Sequence, residues 1–305
     1  MFAFQFEALN RQGELRHDET TILSFINHDN ALFLPIYKQF VASRGTDLMW
    51  LTKNQLENKV DELSPIHFIY LGKINQQHFF AYRLSSSDLL RSMTDTQLGE
   101  TSDGLRNILP HLTAQDAYLA NVATALNQWH SSHQHCGYCG HETFAKDSGF
   151  VRQCSNTECS AEHFPRTDPA IIVAITHTDT NGVEKILLGR QASWPEKRYS
   201  VIAGFVEPGE SLEQAVKREA YEEVGLELSQ VEYQISQPWP FPQSVMLGFK
   251  AQAVTNEIQL KDQELETADW FSKEQIHQLV AQEKLLLPFA YSISRHLIDS
   301  WLAKN

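Results

Sequence analysis

The run GFVEPGESLEQAVKREAYEEVGL, residues 204–226, decides how this chain folds and what chemistry it can carry. Ser211 followed by Gln214 makes a capping box at the start of a helix, and Gly225 can end that helix in a left-handed conformation. The spacing predicts a helix over about 211–224. At 100° per residue, Glu219, Glu222 and Glu223 fall within an arc of about 100°, with the small Ala215 one turn earlier on the same side. Three like charges on one face destabilise a helix unless something neutralises them, and oxygen donors converging in this way suit Mg²⁺ or Mn²⁺. Arg218 stands one turn before Glu222 and is expected to pair with it. Taken by itself, a glutamate-rich helix is most often a solvated outer face.

Upstream of this run the pattern is strand, turn, strand: residues 170–175, the turn signal Asn181-Gly182, then residues 186–188, which predicts a mixed sheet. Downstream lies Ser236-Gln237-Pro238-Trp239-Pro240-Phe241-Pro242-Gln243-Ser244. Its prolines rigidify a strand-to-loop segment, and Trp239 and Phe241 offer flat apolar surfaces that can pack around a nucleotide. The bland reading is a proline-rich edge loop whose aromatics belong to the core.

All four cysteines fall in one stretch, Cys136-x2-Cys139 and Cys154-x4-Cys159, which makes them one unit. Nothing indicates secretion, so four thiolates on a tetrahedral zinc are expected in preference to two disulfides. His133, His135 and His141 flank the knuckle, but four cysteines already complete the usual ligand set. Ahead of the cysteines, residues 66–73 and 78–84 read as a hairpin around Asn75-Gln76-Gln77. A helix follows, with Thr113 as its cap and a stripe of Leu119, Val122, Leu126 and Trp129 expected in the core or in a dimer contact. The polar stretch 85–103 reads as loop.

At 305 residues, with 42% hydrophobic and 21% charged residues, the chain exceeds one ordinary core, so two domains with a small insert are expected. The 25 Lys and Arg against 38 Asp and Glu leave a formal charge of -13, which argues against sequence-independent nucleic-acid binding through a basic face. An acidic protein that handles phosphates needs metal ions. No apolar run approaches the roughly 20 residues of a membrane span, and residues 1–10 lack the features of a secretory signal. Neither a prenylation box nor a peroxisomal address stands at residues 302–305. A soluble, cytoplasmic protein with no membrane partner is the expectation.

The whole pattern of Gly204, Glu210, Arg218, Glu219, Glu222, Glu223 and Gly225 speaks against a merely solvated face, because it resembles the Nudix box, a loop-helix-loop that binds divalent metals. Ala220 departs from it, where the family more often has a bulkier aliphatic residue. The box fixes a reaction class and leaves the substrate open. The 236–244 array is similar to the SQPWPFPxS array of the NADH pyrophosphatases, a zinc-ribbon branch of the Nudix hydrolases. This resemblance covers the chain from about residue 136 onward, although the second cysteine pair has four intervening residues where some relatives have two. It implies an α+β chain: a smaller, non-catalytic Nudix-like α+β domain at 1–130, a zinc ribbon at 131–165, and a catalytic Nudix fold, a mixed sheet sandwiched by helices, at 166–305.

The resemblance also implies roles. Glu219, Glu223 and Glu264, with the carbonyl of Ala203, would hold Mg²⁺ or Mn²⁺, with Glu222 beside them as ligand or base, and the general base is one of Glu222, Glu223 and Glu264. Cys136, Cys139, Cys154 and Cys159 would hold zinc. Substrate contacts fall on Phe164 (a tyrosine in some relatives), Phe205, Gln237, Pro238, Trp239, Pro240, Phe241, Pro242, Gln243, Ser244, the backbone of Ser294, and Arg106. The implied reaction is attack by a metal-activated water on the diphosphate of NAD(H), giving nicotinamide mononucleotide and AMP, with NAD-capped RNA as a second substrate and a homodimer as the working form. The alternatives are a Nudix hydrolase of ADP-ribose or of a dinucleoside polyphosphate, and a catalytically dead zinc-ribbon binding protein.

Overall fold

The computed structural model describes residues 8–61, 63–94, 104–261 and 264–304. The chain forms two compact units, Met1–Thr167 with Pro240–Gln243, and Asp168–Trp239 with Ser244–Asn305.

The first unit opens on α1 (Glu19–Ile26), whose N-cap Asp18 accepts from the Thr21 amide. Strands β1 (Ala31–Tyr37) and β2 (Phe40–Val41), the short pair β3 (Ser43–Arg44) and β4 (Asp47–Leu48), and α2 (Lys53–Glu57) follow. The expected hairpin is present as β5 (Phe68–Ile74) and β6 (Gln77–Arg83), turning at Asn75 with φ 54. The sheet runs β2-β1-β6-β5, with β1 parallel to β6. Phe33, Tyr70, Phe80 and Leu90 fill its core with almost no exposure.

The stretch 85–103 is not simply loop: Ser87–Met93 forms α3, and Ser86, one of the serines that suggested a loop, is its cap, accepting from the Leu89 amide. Leu90 and Met93 drive that helix by burying one side of it. The rest of the stretch, residues 95–103, lies outside the described residues. After α4 (Leu105–Ile108) comes α5 (Ala114–Ser132), capped by Thr113 as its spacing to Asp116 predicts. Leu119, Leu126 and Trp129 are buried on it; Val122 is only half-buried.

The cysteine segment is a three-stranded antiparallel sheet, β7 (Thr143–Lys146), β8 (Val151–Cys154) and β9 (Glu162–His163), and it clusters with the first unit. A buried polar lock joins it to α5. Arg152 donates to His130 Nδ1 at 2.9 Å and to the Thr143 carbonyl at 2.6 Å, while His130 Nε2 lies 2.8 Å from the Gly149 carbonyl.

The second unit is a mixed sheet, β13-β14-β10-β11-β15, with β12 paired to β10. Its strands are β10 (Asp168–Thr178), β11 (Glu184–Arg190), β12 (Ile202–Phe205), β13 (Leu228–Trp239), β14 (Ser244–Ala253) and β15 (Thr267–Ser272). Strand β10 runs parallel to β14 and antiparallel to β11 and β12. The period of two along β10 divides its side chains between two layers. Ile171, Val173 and Ile175 pack with Ala215, Val216, Ala220 and Val224 of α6 (Leu212–Val224). Ala174 faces the other layer, sharing a cleft with Leu297 and Trp301 of α8 (Ile293–Leu302). Helix α7 (Lys273–Ala281) follows β15 directly. Among the described residues, no helix is long and apolar enough to cross a membrane.

Candidate active site on helix α6

Helix α6 starts and stops where local chemistry dictates. Ser211 and Gln214 form the reciprocal capping box, and Gly225 takes φ 73 at the C-cap. The fully buried Ala220 shows what the small residue does at that position: it lets the helix lie close on the sheet.

The carboxylates of this helix are organised by Arg218. Its Nε and Nη2 grip both oxygens of Glu210 at 2.7 and 2.9 Å, Nη1 reaches Glu219 at 2.9 Å and Glu222 at 3.0 Å, and Nη2 also donates to the Phe205 carbonyl at 2.8 Å. All five N–H donors of the guanidinium are thereby used. The expected Glu222 pair is present, but the bidentate partner is Glu210, eight residues back, whose other bond caps the Glu207 amide at 3.0 Å. Hydrogen bonding to Glu210, ahead of all other causes, raises the Arg218 pKa. Arg218 thus fixes the loop before the helix and the ends of two carboxylates together.

Glu219 is the most strongly placed of the three. Its side chain is 13% exposed, against 51% for Glu222. Burial raises its pKa, Arg218 opposes this, and the like charges of Glu222 and Glu264 push it further up. Glu264 therefore shares the electrostatic field of Glu219, although it comes from the segment before β15. The Glu219 carboxylate lies directly on Gly204, where a Cβ would meet its atoms at 1.9 Å. Glu223 is 3% exposed. These are hard oxygen donors, a set whose chemistry suits a divalent cation. Among the described residues, the donor atoms of these carboxylates are not within 4.8 Å of one another as a group; only the cysteines meet that condition. Arg218 Nη1 holds the Glu219 and Glu222 carboxylates near one another, and Glu223 and Glu264 stand outside that grip.

The four Sγ atoms of Cys136, Cys139, Cys154 and Cys159 converge within 4.8 Å of one another as free thiols, a donor set that fits tetrahedral zinc. His163, which the sequence pattern did not flag, places Nε2 3.3 Å from Cys136 Sγ and stacks on Tyr138.

The 236–244 array is split by function. Gln237 is fully buried, its Nε2 donating to the Tyr291 carbonyl at 2.9 Å and its Oε1 accepting from the Ile293 amide at 2.7 Å. Its amide is spent pinning β13 to the start of α8. Pro238 is tolerated in a strand because β13 lies at the sheet edge. Trp239 stacks on Tyr291, which stacks on Phe289. Pro240, Phe241, Pro242 and Gln243 make the turn to β14, counted in the first unit, where the Pro240 carbonyl accepts from Gln128 at 2.7 Å; Ser244 is buried at the start of β14. Ser294 is buried in α8, its Oγ 2.7 Å from that of Ser200. Phe205 is 59% exposed in β12 next to Gly204, while Phe164, 65% exposed, and Arg106, on α4, belong to the first unit. The Glu210 grip, the Gln237 pin and Tyr291 escaped the sequence reading because each depends on a partner brought close only by folding.

Residues 166–295 match the NUDIX domain, and residues 131–164 match the NADH pyrophosphatase zinc ribbon domain. The NAD-capped RNA hydrolase NudC of Mycobacterium bovis is 35% identical over 249 residues, 78% of this chain and 76% of that protein. The protein of the same name from Pseudomonas aeruginosa is 40% identical over 201 residues, 66% of this chain and 67% of that protein. Nudix hydrolase 19, chloroplastic, of Arabidopsis thaliana is 42% identical over 168 residues, 53% of this chain. The match spans 38% of that plant protein's length.

Proposed function

The chain belongs to the Nudix hydrolase family and carries the NADH pyrophosphatase zinc ribbon, and on that premise we propose that it hydrolyses the diphosphate bond of NAD(H) to nicotinamide mononucleotide and AMP, including where NAD caps the 5′ end of RNA. The observation that carries this reading is the half-buried Glu219 carboxylate seated on Gly204 with Arg218 holding it. Two relatives named as NAD-capped RNA hydrolases, and the array at 236–244, support the choice of substrate.

In this reading Glu219, Glu223, Glu264 and the Ala203 carbonyl hold Mg²⁺ or Mn²⁺. A cation held there would supply charge neutralisation at the phosphoryl oxygens and lower the pKa of water. One of Glu222, Glu223 and Glu264 accepts the water proton; the water oxygen bonds to one phosphorus, the bridging P–O bond breaks, and its electron pair leaves with the other phosphate. Arg218 takes no part in that exchange and acts as a positioning residue. Phe205 stacks on the base at the mouth of the site, and Phe164, Arg106 and the backbone of Ser294 add substrate contacts. Gln237 acts through the strand it pins. The working form is a homodimer in the cytoplasm, and a net charge of -13 favours recognition centred on the cap over recognition of the RNA body.

Product analysis with NADH, ADP-ribose and NAD-capped RNA, in Mg²⁺ and then Mn²⁺, tests the proposal. Reduced nicotinamide mononucleotide from NADH and a 5′-monophosphate from the capped RNA are expected, both lost in Glu223→Gln. Faster turnover of ADP-ribose would transfer the assignment to that substrate, and no metal-dependent hydrolysis of any of the three would end it.

A further inference from the structure

The first unit contains a cavity of about 300 Å³, walled by α1, the β5–β6 hairpin and the tip of the β7–β8 hairpin. Its floor is apolar and closed, with Ile22, Ile26, Phe68, Tyr70 and Phe80 all buried. Small-molecule pockets begin at about this size and combine apolar walls with a few oriented polar groups.

The polar group here is Arg16. Its guanidinium lies flat over Phe150, with Cζ 3.3 Å from the ring centroid, and burial holds its pKa below the ordinary value. Its Nε is buried with no hydrogen-bond partner, and its Nη2 reaches only the Arg11 carbonyl, at 3.4 Å. The Nε is closed off from solvent, so an anion in the cavity meets the Nη side of a cation half withdrawn from water, where Glu14 already supplies part of the opposing charge. Of the other charged groups in the lining, Lys146 is tied to Glu162 at 2.9 Å, while Glu19 and Asp147 are acidic. Those two carboxylates oppose a multiply charged ligand and favour a single charge on the head.

We propose that this cavity binds a small amphipathic monoanion, an apolar chain or ring ending in one carboxylate, with the head at Arg16 and the body among Ile22, Ile26, Phe68 and Phe80. The residues at its roof, 145–149, lie in the hairpin that connects the two cysteine pairs. Occupancy would therefore brace the zinc segment against α1, independently of the reaction assigned to the second unit.

Isothermal titration of the full chain with decanoate, decylamine and decanol tests this. Decanoate should bind at one site per chain, and the other two at least about tenfold more weakly, the scale of one charge-assisted hydrogen bond. Arg16→Gln should lower decanoate affinity by about tenfold or more and leave decanol unchanged. Ile66→Trp, at a rim position 58% exposed, should weaken all three by narrowing the mouth, and its surface place keeps the test valid if the Arg16 variant fails to fold. Absence of saturable binding, equal affinity for the three head groups, or indifference to both substitutions would overturn the proposal. Binding that emerges only on dilution would assign the cavity to a second copy of the chain, and overturn it as well.

Discussion

The carboxylate of Glu219 occupies the space that a side chain at Gly204 would need: a Cβ there would stand 1.9 Å from its atoms. Gly204 sits in β12 without a positive φ, so alanine fits its backbone, and the clash falls on the far end of a flexible side chain.

Gly204→Ala should therefore leave folding almost untouched, within about 1 kcal/mol, while displacing the carboxylate that the reaction depends on. A fall in kcat/KM of roughly 10²-fold or more is expected, the scale of losing one strong electrostatic contact. Urea unfolding measured beside NADH turnover separates the two effects. Activity within about threefold of the parent would show that Glu219 does not need its seat.

Much of this site was legible before folding because its signals are local. Ser211, Gln214 and Gly225 bound α6 through contacts only three or four residues long, and the helical period then places the glutamates. What was not legible depends on distant partners. Spacing pairs Arg218 with Glu222 one turn away, yet its bidentate grip is on Glu210 across the loop. Gln237 reads as a substrate contact in the array, but its amide is bonded to residues 291 and 293. By composition Ser86 and Ser87 read as loop, whereas Ser86 caps the helix whose buried face Leu90 and Met93 supply.

Cys136→Ser should release zinc and loosen the first unit, because three thiolates hold the ion far less well than four and the segment buries little of its own. Metal analysis should find about one zinc per chain in the parent. The expected sequence on heating is early loss of the 131–165 segment with α6 intact. Parent protein without zinc, and with all four cysteines oxidised, would restore the disulfide alternative.

His130 gives the first unit a pH dependence of definite sign. Burial, then the charge of Arg83, lowers its pKa from 6.5 to about 3, and its hydrogen bond from Arg152 requires the neutral ring. The unfolded chain therefore binds the extra proton first. The contribution is fully present above about 6.5 and is lost as pH falls toward about 3, at roughly 1.4 kcal/mol per pH unit inside that window. Unfolding free energies from denaturant titration between pH 7.5 and 5 should fall more steeply in the parent than in His130→Gln, by about 2 kcal/mol over the range. Parallel profiles would show that the lock does not govern acid stability.

Phe205 tests the substrate side of the site. The residue is 59% exposed, and its carbonyl accepts from Arg218 at 2.8 Å. Truncating the side chain leaves that backbone bond available, so the Arg218 arrangement and metal binding should survive in Phe205→Ala. If the ring stacks on the base of the substrate, its loss should weaken binding by about 1 to 3 kcal/mol, roughly 5- to 150-fold, seen as a higher KM for NADH with kcat less affected. Mn²⁺ titration of the variant checks that the cation site is intact. An unchanged KM would remove the stacking role. Sedimentation decides whether a second subunit completes this pocket, since a stable monomer with full activity would leave Phe205 acting within its own chain.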